Sequence, residues 1–236
     1  LRPRQRERRC HVPAAVFRQA AARDKIKANL VGEYVLTNTD GGQVVISLLP
    51  EHLTIVPEGI GAYFDMLMGR NADARIKSGT WLFLDFGYLT LDVVVVRDGD
   101  YLADAAQSDG TLGISRVAEA VAGYVFSETG VMLNRAQMDA ALECPTVEVQ
   151  GEQFDHSVQR DAELQQLAAK ATEWIRRVSS GLNARGAYCL GGGAEYVFPL
   201  IGRKGLPSLL LAQRARRTNI EGLYAWLVKK HENLFA

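Results

Sequence analysis

Apolar residues Val16, Phe17, Ala20, Ala21, Ile26 and Leu30 recur at loosely helical spacing between Pro13 and Leu30 and predict a first helix, with Lys25 and Lys27 left for solvent. Two β-branched runs follow, Tyr34–Thr37 and Val44–Ser47. They flank the turn cluster Asn38–Gly42, whose residues tolerate positive φ, and so predict a hairpin. A second apolar pattern of helical period, Ile60, Ala62, Tyr63, Phe64, Leu67 and Met68, is expected to open near Pro57, where the N–H that proline lacks has no helical partner to lose. Arg70–Lys77 reads as a polar surface loop. Three short apolar runs come next, Trp81–Leu84, Leu91–Val96 and Tyr101–Ala106, joined through Phe86–Thr90 and Arg97–Asp100. These connections are too short for the crossover that parallel strands need, so the pattern predicts an antiparallel meander.

Helical periodicity then dominates in Ile114–Phe126, Arg135–Leu142 and Val158–Leu182, with one strand expected at Pro145–Gln150. The remainder alternates: a buried strand at Ala187–Leu190, a helix at Glu195–Gly202, a strand at Ser208–Leu211 and a closing amphipathic helix at Asn219–His231. A strand meander followed by alternating helices and strands predicts an α/β fold, a mixed sheet covered by helices. No Pro- or Gly-rich linker and no internal repeat divides it. The stretch of about 130–155 interrupts the main order and is expected to form a small inserted subdomain.

Composition narrows the function classes. At 236 residues and 47% hydrophobic the chain can bury a sizeable core. Lys+Arg and Asp+Glu both count 27, so no overall field draws it to nucleic acid or membrane, and any partner must be recognised locally. Cys10, Cys144 and Cys189 are odd in number and show no CxxC spacing, which argues against a disulfide framework or structural zinc and suits a reducing cytoplasm. His11, His52, His156 and His231 are scattered, with no second ligand one helical turn away. The apolar runs fall far short of the roughly 20 residues that span a bilayer. Arg2, Arg4, Arg6, Arg8 and Arg9 crowd the start with no apolar signal core behind them, and read as a solvated end or as a basic arm for nucleic acid or lipid.

Three segments carry candidate chemistry. In Leu84–Asp92 an acidic residue ends one apolar strand and a small turn leads into the next. Outward amides of such a turn can hold phosphate oxygens while Asp85 holds Mg²⁺ through water, although Asp and Gly favour any turn. In Tyr188–Glu195 three glycines leave a strand and enter a helix. Their backbone can approach a ligand closely, or simply make a flexible turn, and the spacing is not the dinucleotide-binding GxGxxG. In Val56–Tyr63, Glu58 stands before an apolar helix, either as a dipole partner or as a group that orients or deprotonates a water. Arg214, Arg216 and Arg217, with Lys229 and Lys230, form either a solvated helix face or a phosphate or neighbour contact.

Taken in order, Val56–Asp65, Leu84–Val96, Asp109–Gly113 and Leu190–Glu195 resemble the successive cleft motifs of bacterial actin-like ATPases, in particular the plasmid-segregation type called ParM or StbA. The resemblance runs from about Val12 to Tyr224. It implies an actin-like (ribonuclease H-like) fold in which this chain is the second lobe of a two-lobe cleft: residues 1–56 a remnant of the first lobe, residues 57–236 the second. It further implies ATP or GTP with Mg²⁺ as cofactors, nucleotide hydrolysis, self-association into filaments, a DNA-bound adaptor as partner and a cytoplasmic setting. By that resemblance Asp85 approaches the Mg²⁺ hydration shell, and Gly87, Tyr88, Leu89 and Thr90 cradle the β- and γ-phosphates. Gly191, Gly192, Gly193, Ala194 and Glu195 lie against the nucleoside. Asp109, Gly110 and Gly113 wall the base side, and Glu58 positions the hydrolytic water.

Two departures from the family pattern alter that expectation. Tyr88 and Leu89 stand where a second glycine and a hydroxyl residue are usual, so one φ is restricted and a side-chain donor is lost. Only 84 residues precede Asp85, and none of them shows the first phosphate hairpin of the family. A chain opening on Leu1 is therefore expected to be a fragment, or to take the missing N-terminal lobe from another polypeptide. A degenerate, non-hydrolysing assembly scaffold and a sugar-kinase or chaperone-type ATPase of the same superfamily are the rival readings.

Overall fold

The computed structural model describes residues 8–204 and 206–230. Arg2, Arg4, Arg6 and His231 lie outside the described residues, as do the side chains of Arg8, Arg9, His11 and His52. The chain opens with β1 (Arg8–Val12), a short α1 (Ala14–Phe17), α2 (Ala20–Leu30), the hairpin strands β2 (Gly32–Thr37) and β3 (Gln43–Leu48), and β4 (Leu53–Pro57). β1 runs parallel to β4, with Val12 opposite Pro57, so the helices and hairpin form the crossover between them. The sequence pattern marks neither β1 nor β4: a basic run hides the first, and the second is a short stretch that runs straight into a proline.

The helix expected over Pro13–Leu30 is two helices, because Gln19 takes an extended backbone (φ −90°, ψ 105°). The Asp92 carboxylate accepts the Ala14 N–H at 2.9 Å and the Ser108 hydroxyl oxygen accepts the Ala15 N–H at 3.1 Å, which anchors α1 to later strands. α2 buries no residue and follows a different surface, and the local period alone carries no mark of that change. The next helix, α3 (Ile60–Met68), opens after Gly59, whose φ of 89° makes the turn, so Pro57 closes β4 rather than starting the helix. In the expected Arg70–Lys77 loop a 3-10 turn over Ala74–Lys77 delivers Ile76, 1% exposed, to the core.

The central sheet follows, from β5 (Thr80–Phe86), β6 (Leu91–Arg97), β7 (Asp100–Tyr101) and β8 (Gln107–Asp109). Instead of one strand over Tyr101–Ala106, β7 ends after two residues, Ala103–Ala105 make a 3-10 turn, and β8 resumes pairing with β6. Leu102 still donates to the Val95 carbonyl, so the interruption is an excursion from one ladder. Then come α4 (Ser115–Thr129), α5 (Arg135–Glu143), β9 (Thr146–Val149), β10 (Glu152–Asp155), α6 (Ser157–Ser179), β11 (Ala184–Leu190), α7 (Ala194–Val197), β12 (Ser208–Leu211) and α8 (Thr218–Lys230). The inserted region has two strands where one is expected. Gln150 and Gly151 turn between them at φ 53° and 87°, and glutamine gives no sequence signal for that conformation. The expected Glu195–Gly202 helix stops at Val197 and passes into a 3-10 turn at Phe198–Leu200, since Pro199 supplies no N–H to an α-helical ladder.

Six strands form the sheet in the order β12, β11, β5, β6, β7, with β8 also on β6. β5 to β8 make the antiparallel meander, and β11 and β12 run parallel to β5. Strand alternation splits the side chains between two cores. Leu82, Leu84, Phe86, Val93 and Val95 face α4 and α6, whereas Trp81, Phe83, Val94 and Val96 share the other core with Ala62, Tyr63 and Met66 of α3 and Leu223 of α8. α3 and α8 touch through glycines. A Cβ on Gly222 would stand 2.6 Å from the Asp65 amide nitrogen and 2.8 Å from the Gly61 carbonyl carbon, so the two backbones meet with no side chain between them.

His156, just before α6, is 1% exposed, and neither ring nitrogen has a hydrogen-bond partner among the described residues. Burial, with a smaller contribution from the Arg160 charge, holds its pKa below the ordinary value of 6.5. Its contribution to stability is whole above about pH 6.5 and is lost as pH falls toward the depressed folded value, because the unfolded state takes up the proton first. His156→Phe is expected to flatten the decline of the thermal midpoint between pH 7 and pH 5. An unchanged pH profile would show that the imidazole is not held neutral.

Candidate functional site

The turn between β5 and β6 is built from both sides. The Gly87 N–H donates to the Thr90 carbonyl at 2.9 Å and closes it. The entry to α4 then takes its carbonyls: the Ile114 N–H donates to Gly87 O (3.2 Å) and the Ser115 N–H to Tyr88 O (2.9 Å). Gly113 makes this approach possible, since a Cβ there would lie 2.6 Å from Leu89 O. With its carbonyls held by α4, the turn keeps the amides of Tyr88, Leu89 and Thr90 without a hydrogen-bond partner among the described residues. Adjacent N–H groups without partners are the kind of donor set that can hold an anion.

The triglycine turn closes a second wall. Gly191 (φ 89°) packs so tightly that a Cβ would sit 2.6 Å from Phe86 O and against the Asp85 carboxylate. The Gly193 N–H donates to Phe86 O at 2.8 Å, and the Gly191 N–H donates to Ala215 O at 3.0 Å. Gly191 and Gly193 are thus needed by contact, whereas Gly192 faces open space. Ala194 is buried at the start of α7, and Glu195 is exposed and pairs with Arg216 at 3.4 Å.

Asp85, 7% exposed, is the penultimate residue of β5 and accepts a hydrogen bond from Asn219 Nδ2. Asp92 stands opposite it across the β5–β6 ladder, on the same face. Asp92 is 1% exposed and accepts from Ala14 N–H, from Thr90 Oγ1 at 2.6 Å and from Ser108 Oγ. Burial raises its pKa, these donors oppose the rise, and the Glu58 charge adds to it. The same charge, after burial, raises the Cys10 thiol. The Glu58 amide is tied to Val12 O at 2.7 Å, which fixes it where β4 meets α3.

The expected residues therefore fall into two groups. Asp85, the Gly87–Thr90 turn, Gly113, Gly191 and Gly193 are brought together, and Glu58 stands where β4 meets α3. Asp109 instead spends its carboxylate on the Thr111 amide and hydroxyl, at 2.8 and 2.6 Å, and Gly110 has open space around it; Gly113 makes the contact with the turn. Asn219, Asp92 and Arg135 are additions. Arg135 lies over the Tyr88 ring, 3.9 Å from its centroid, so Tyr88 is held by a guanidinium from α5. Asp92 had a signal, an acid on the core-facing register of a run of valines. Asn219 had none, since its partner lies 134 residues away. Of the terminal basic residues, Arg214 pairs with Glu221, and Arg216 with Glu143 and Glu195.

The C-terminal model of the archaeal actin homologue MreB-like family matches residues 83–200, half of the chain and the part that contains both turns. The chain belongs to this family. Solved actin-like structures superpose along nearly its whole length. A non-polymerisable quadruple mutant of pCBH ParM aligns with TM-score 0.77 at 17% identity, over 95% of this chain and 68% of that one. An archaeal actin homologue in complex with ADP gives TM-score 0.77 at 19% identity, over 93% and 70%. A 15-stranded ParM filament from Clostridium botulinum gives TM-score 0.78 at 16% identity, over 94% and 66%. At these identities the likeness establishes the actin-like fold, and about a third of each relative has no counterpart in the chain. No curated protein matches it. Among the described residues no helix is long and apolar enough to cross a membrane.

Proposed function

We propose that this actin-like chain supplies one wall of a nucleotide cleft in a cytoplasmic filament protein that binds and hydrolyses ATP or GTP, serving DNA segregation or related intracellular organisation. The observation that carries the reading is the turn at Gly87–Thr90, with its three unpaired amides, abutting Asp85 and Gly191. In it the Tyr88, Leu89 and Thr90 amides bind terminal phosphate oxygens. Gly191–Glu195 carry the nucleoside, and Glu58 orients or deprotonates the attacking water. Asp85, with Asp92 beside it, fits a hard divalent cation held through its waters; Mg²⁺, when bound, would neutralise phosphate charge. Residues 1–56 belong in this reading to a first lobe and 57–236 to the second. The first phosphate turn, and with it tight binding, comes from the complementary lobe, and a DNA-bound adaptor is the partner of the filament.

Support comes from relatives of the same fold, one solved with ADP and another as a filament. The test is pelleting of the full protein with and without nucleotide and Mg²⁺. Assembly should require nucleotide, and Glu58→Ala should keep assembly while slowing phosphate release at least about 100-fold, the scale of a lost general base. Assembly that ignores nucleotide would favour the second reading, a non-hydrolysing scaffold. That alternative has its own observation, the Tyr88–Arg135 stack standing at the mouth of the turn.

A further inference from the structure

Asn219 makes one hydrogen bond from each end of its side-chain amide. Nδ2 donates to Asp85 Oδ2, and Oδ1 accepts the Ala62 N–H at 3.2 Å. Asp85 is the carboxylate proposed to face the cation, and Ala62 lies in the first turn of the helix that Glu58 introduces. We infer that Asn219 is a positioning residue, a strut of fixed length that sets the cation-side carboxylate relative to the water-side carboxylate. The inference rests on the nucleotide-site reading above and assigns it a residue that neither motif contains.

The strut is rigid because its own backbone cannot shift. A Cβ on Gly61 would stand 2.8 Å from the Asn219 carbonyl carbon and 2.9 Å from its Cα, so α8 is seated on the α3 backbone at this residue. Asp85 also needs such a partner. Asp92 opposes it across the ladder, and like charges directly opposite repel, so the amide donor of Asn219 offsets a repulsion that acts on the Asp85 carboxylate. Asp92 is held by three donors of its own, and Asn219 donates to its neighbour. Misplacing a reacting group by about 1 Å can cost about 100-fold in rate, which makes the strut visible in kinetics.

The experiment compares Asn219→Ala and Asn219→Asp with wild type in the full protein that contains this chain. It measures hydrolysis against Mg²⁺ at saturating nucleotide, KM for nucleotide, and thermal midpoint. Asn219→Asp keeps the acceptor for Ala62 and replaces the donor to Asp85 by a carboxylate of like charge, so it breaks the Asp85 end of the strut while the Ala62 end stays, even if the alanine variant folds poorly. Expected are a fall in kcat of about tenfold or more in both variants, with KM within about threefold, and a shift of the half-saturating Mg²⁺ concentration for Asn219→Ala to at least about fivefold higher. Wild-type kcat and Mg²⁺ dependence in both variants, with only the thermal midpoint lowered, would reduce Asn219 to a folding contact and overturn the inference. A wild-type protein that neither binds nor hydrolyses nucleotide would instead overturn the site reading, and the strut with it.

Discussion

Gly222→Ala is expected to lower the thermal midpoint by about 10 °C. The added methyl would stand 2.6 Å from the Asp65 amide nitrogen and 2.8 Å from the Gly61 carbonyl carbon, closer than Cβ contacts occur. Both obstacles are backbone, so relief requires α8 to lift off α3 and to withdraw Leu223 from the second core. Overpacking of this kind costs about 3 kcal/mol, and in a chain of this length each kcal/mol moves the midpoint by about 2–4 °C. The same substitution at Gly123, which sits exposed inside α4 with nothing near its missing Cβ, should act in the opposite sense. There alanine removes backbone freedom from the unfolded chain and stabilises by up to about 1 kcal/mol. Differential scanning calorimetry of the two variants reads both signs. A midpoint at Gly222→Ala within about 2 °C of wild type would mean that the glycine contact between α3 and α8 is not present in solution.

The second large effect belongs to Asp85→Ala: nucleotide-dependent assembly should disappear, with nucleotide affinity lowered about 100-fold, equivalent to about 2.7 kcal/mol. Removing this carboxylate takes away the charge beside the turn amides and leaves Asn219 Nδ2 without its acceptor. Folding should be nearly unaffected, because the lost hydrogen bond is offset by relief from the carboxylate of Asp92 opposite it. Loss of assembly at an unchanged thermal midpoint is therefore the informative result, read by sedimentation alongside calorimetry. Persistence of nucleotide-dependent assembly would remove Asp85 from the site and with it the hydrolytic reading.

The central strands, both glycine turns and the long helices were legible in the sequence because each is determined over a few neighbours, by apolar period or by glycine. The parallel pair β1 and β4 was not, since its strands are short and pair across some 40 residues by a register that no local pattern encodes. The same reason hid the seating of α1, whose Ala14 and Ala15 amides donate to Asp92 and Ser108 far along the chain. In the candidate site the turn residues could be named in advance, but their relations could not. That Gly113 rather than Asp109 touches the Gly87–Thr90 turn depends on which backbone needs the space. That Asn219 serves Asp85 depends on where α8 returns.

The hairpin β2–β3 bears on how the chain behaves as a solute. Val35 and Val45 oppose each other on one of its faces, Leu36 and Val44 on the other, and all four are 54–61% exposed. The hairpin is a sheet of its own, so each strand also offers an outer edge. A formal charge of zero and a pI near 7.1 add little mutual repulsion between molecules at neutral pH. Colloidal stability is therefore at its minimum under the buffers in which such a chain is ordinarily handled, and a working pH well away from neutrality, by restoring a common charge, keeps the strands of neighbouring molecules apart.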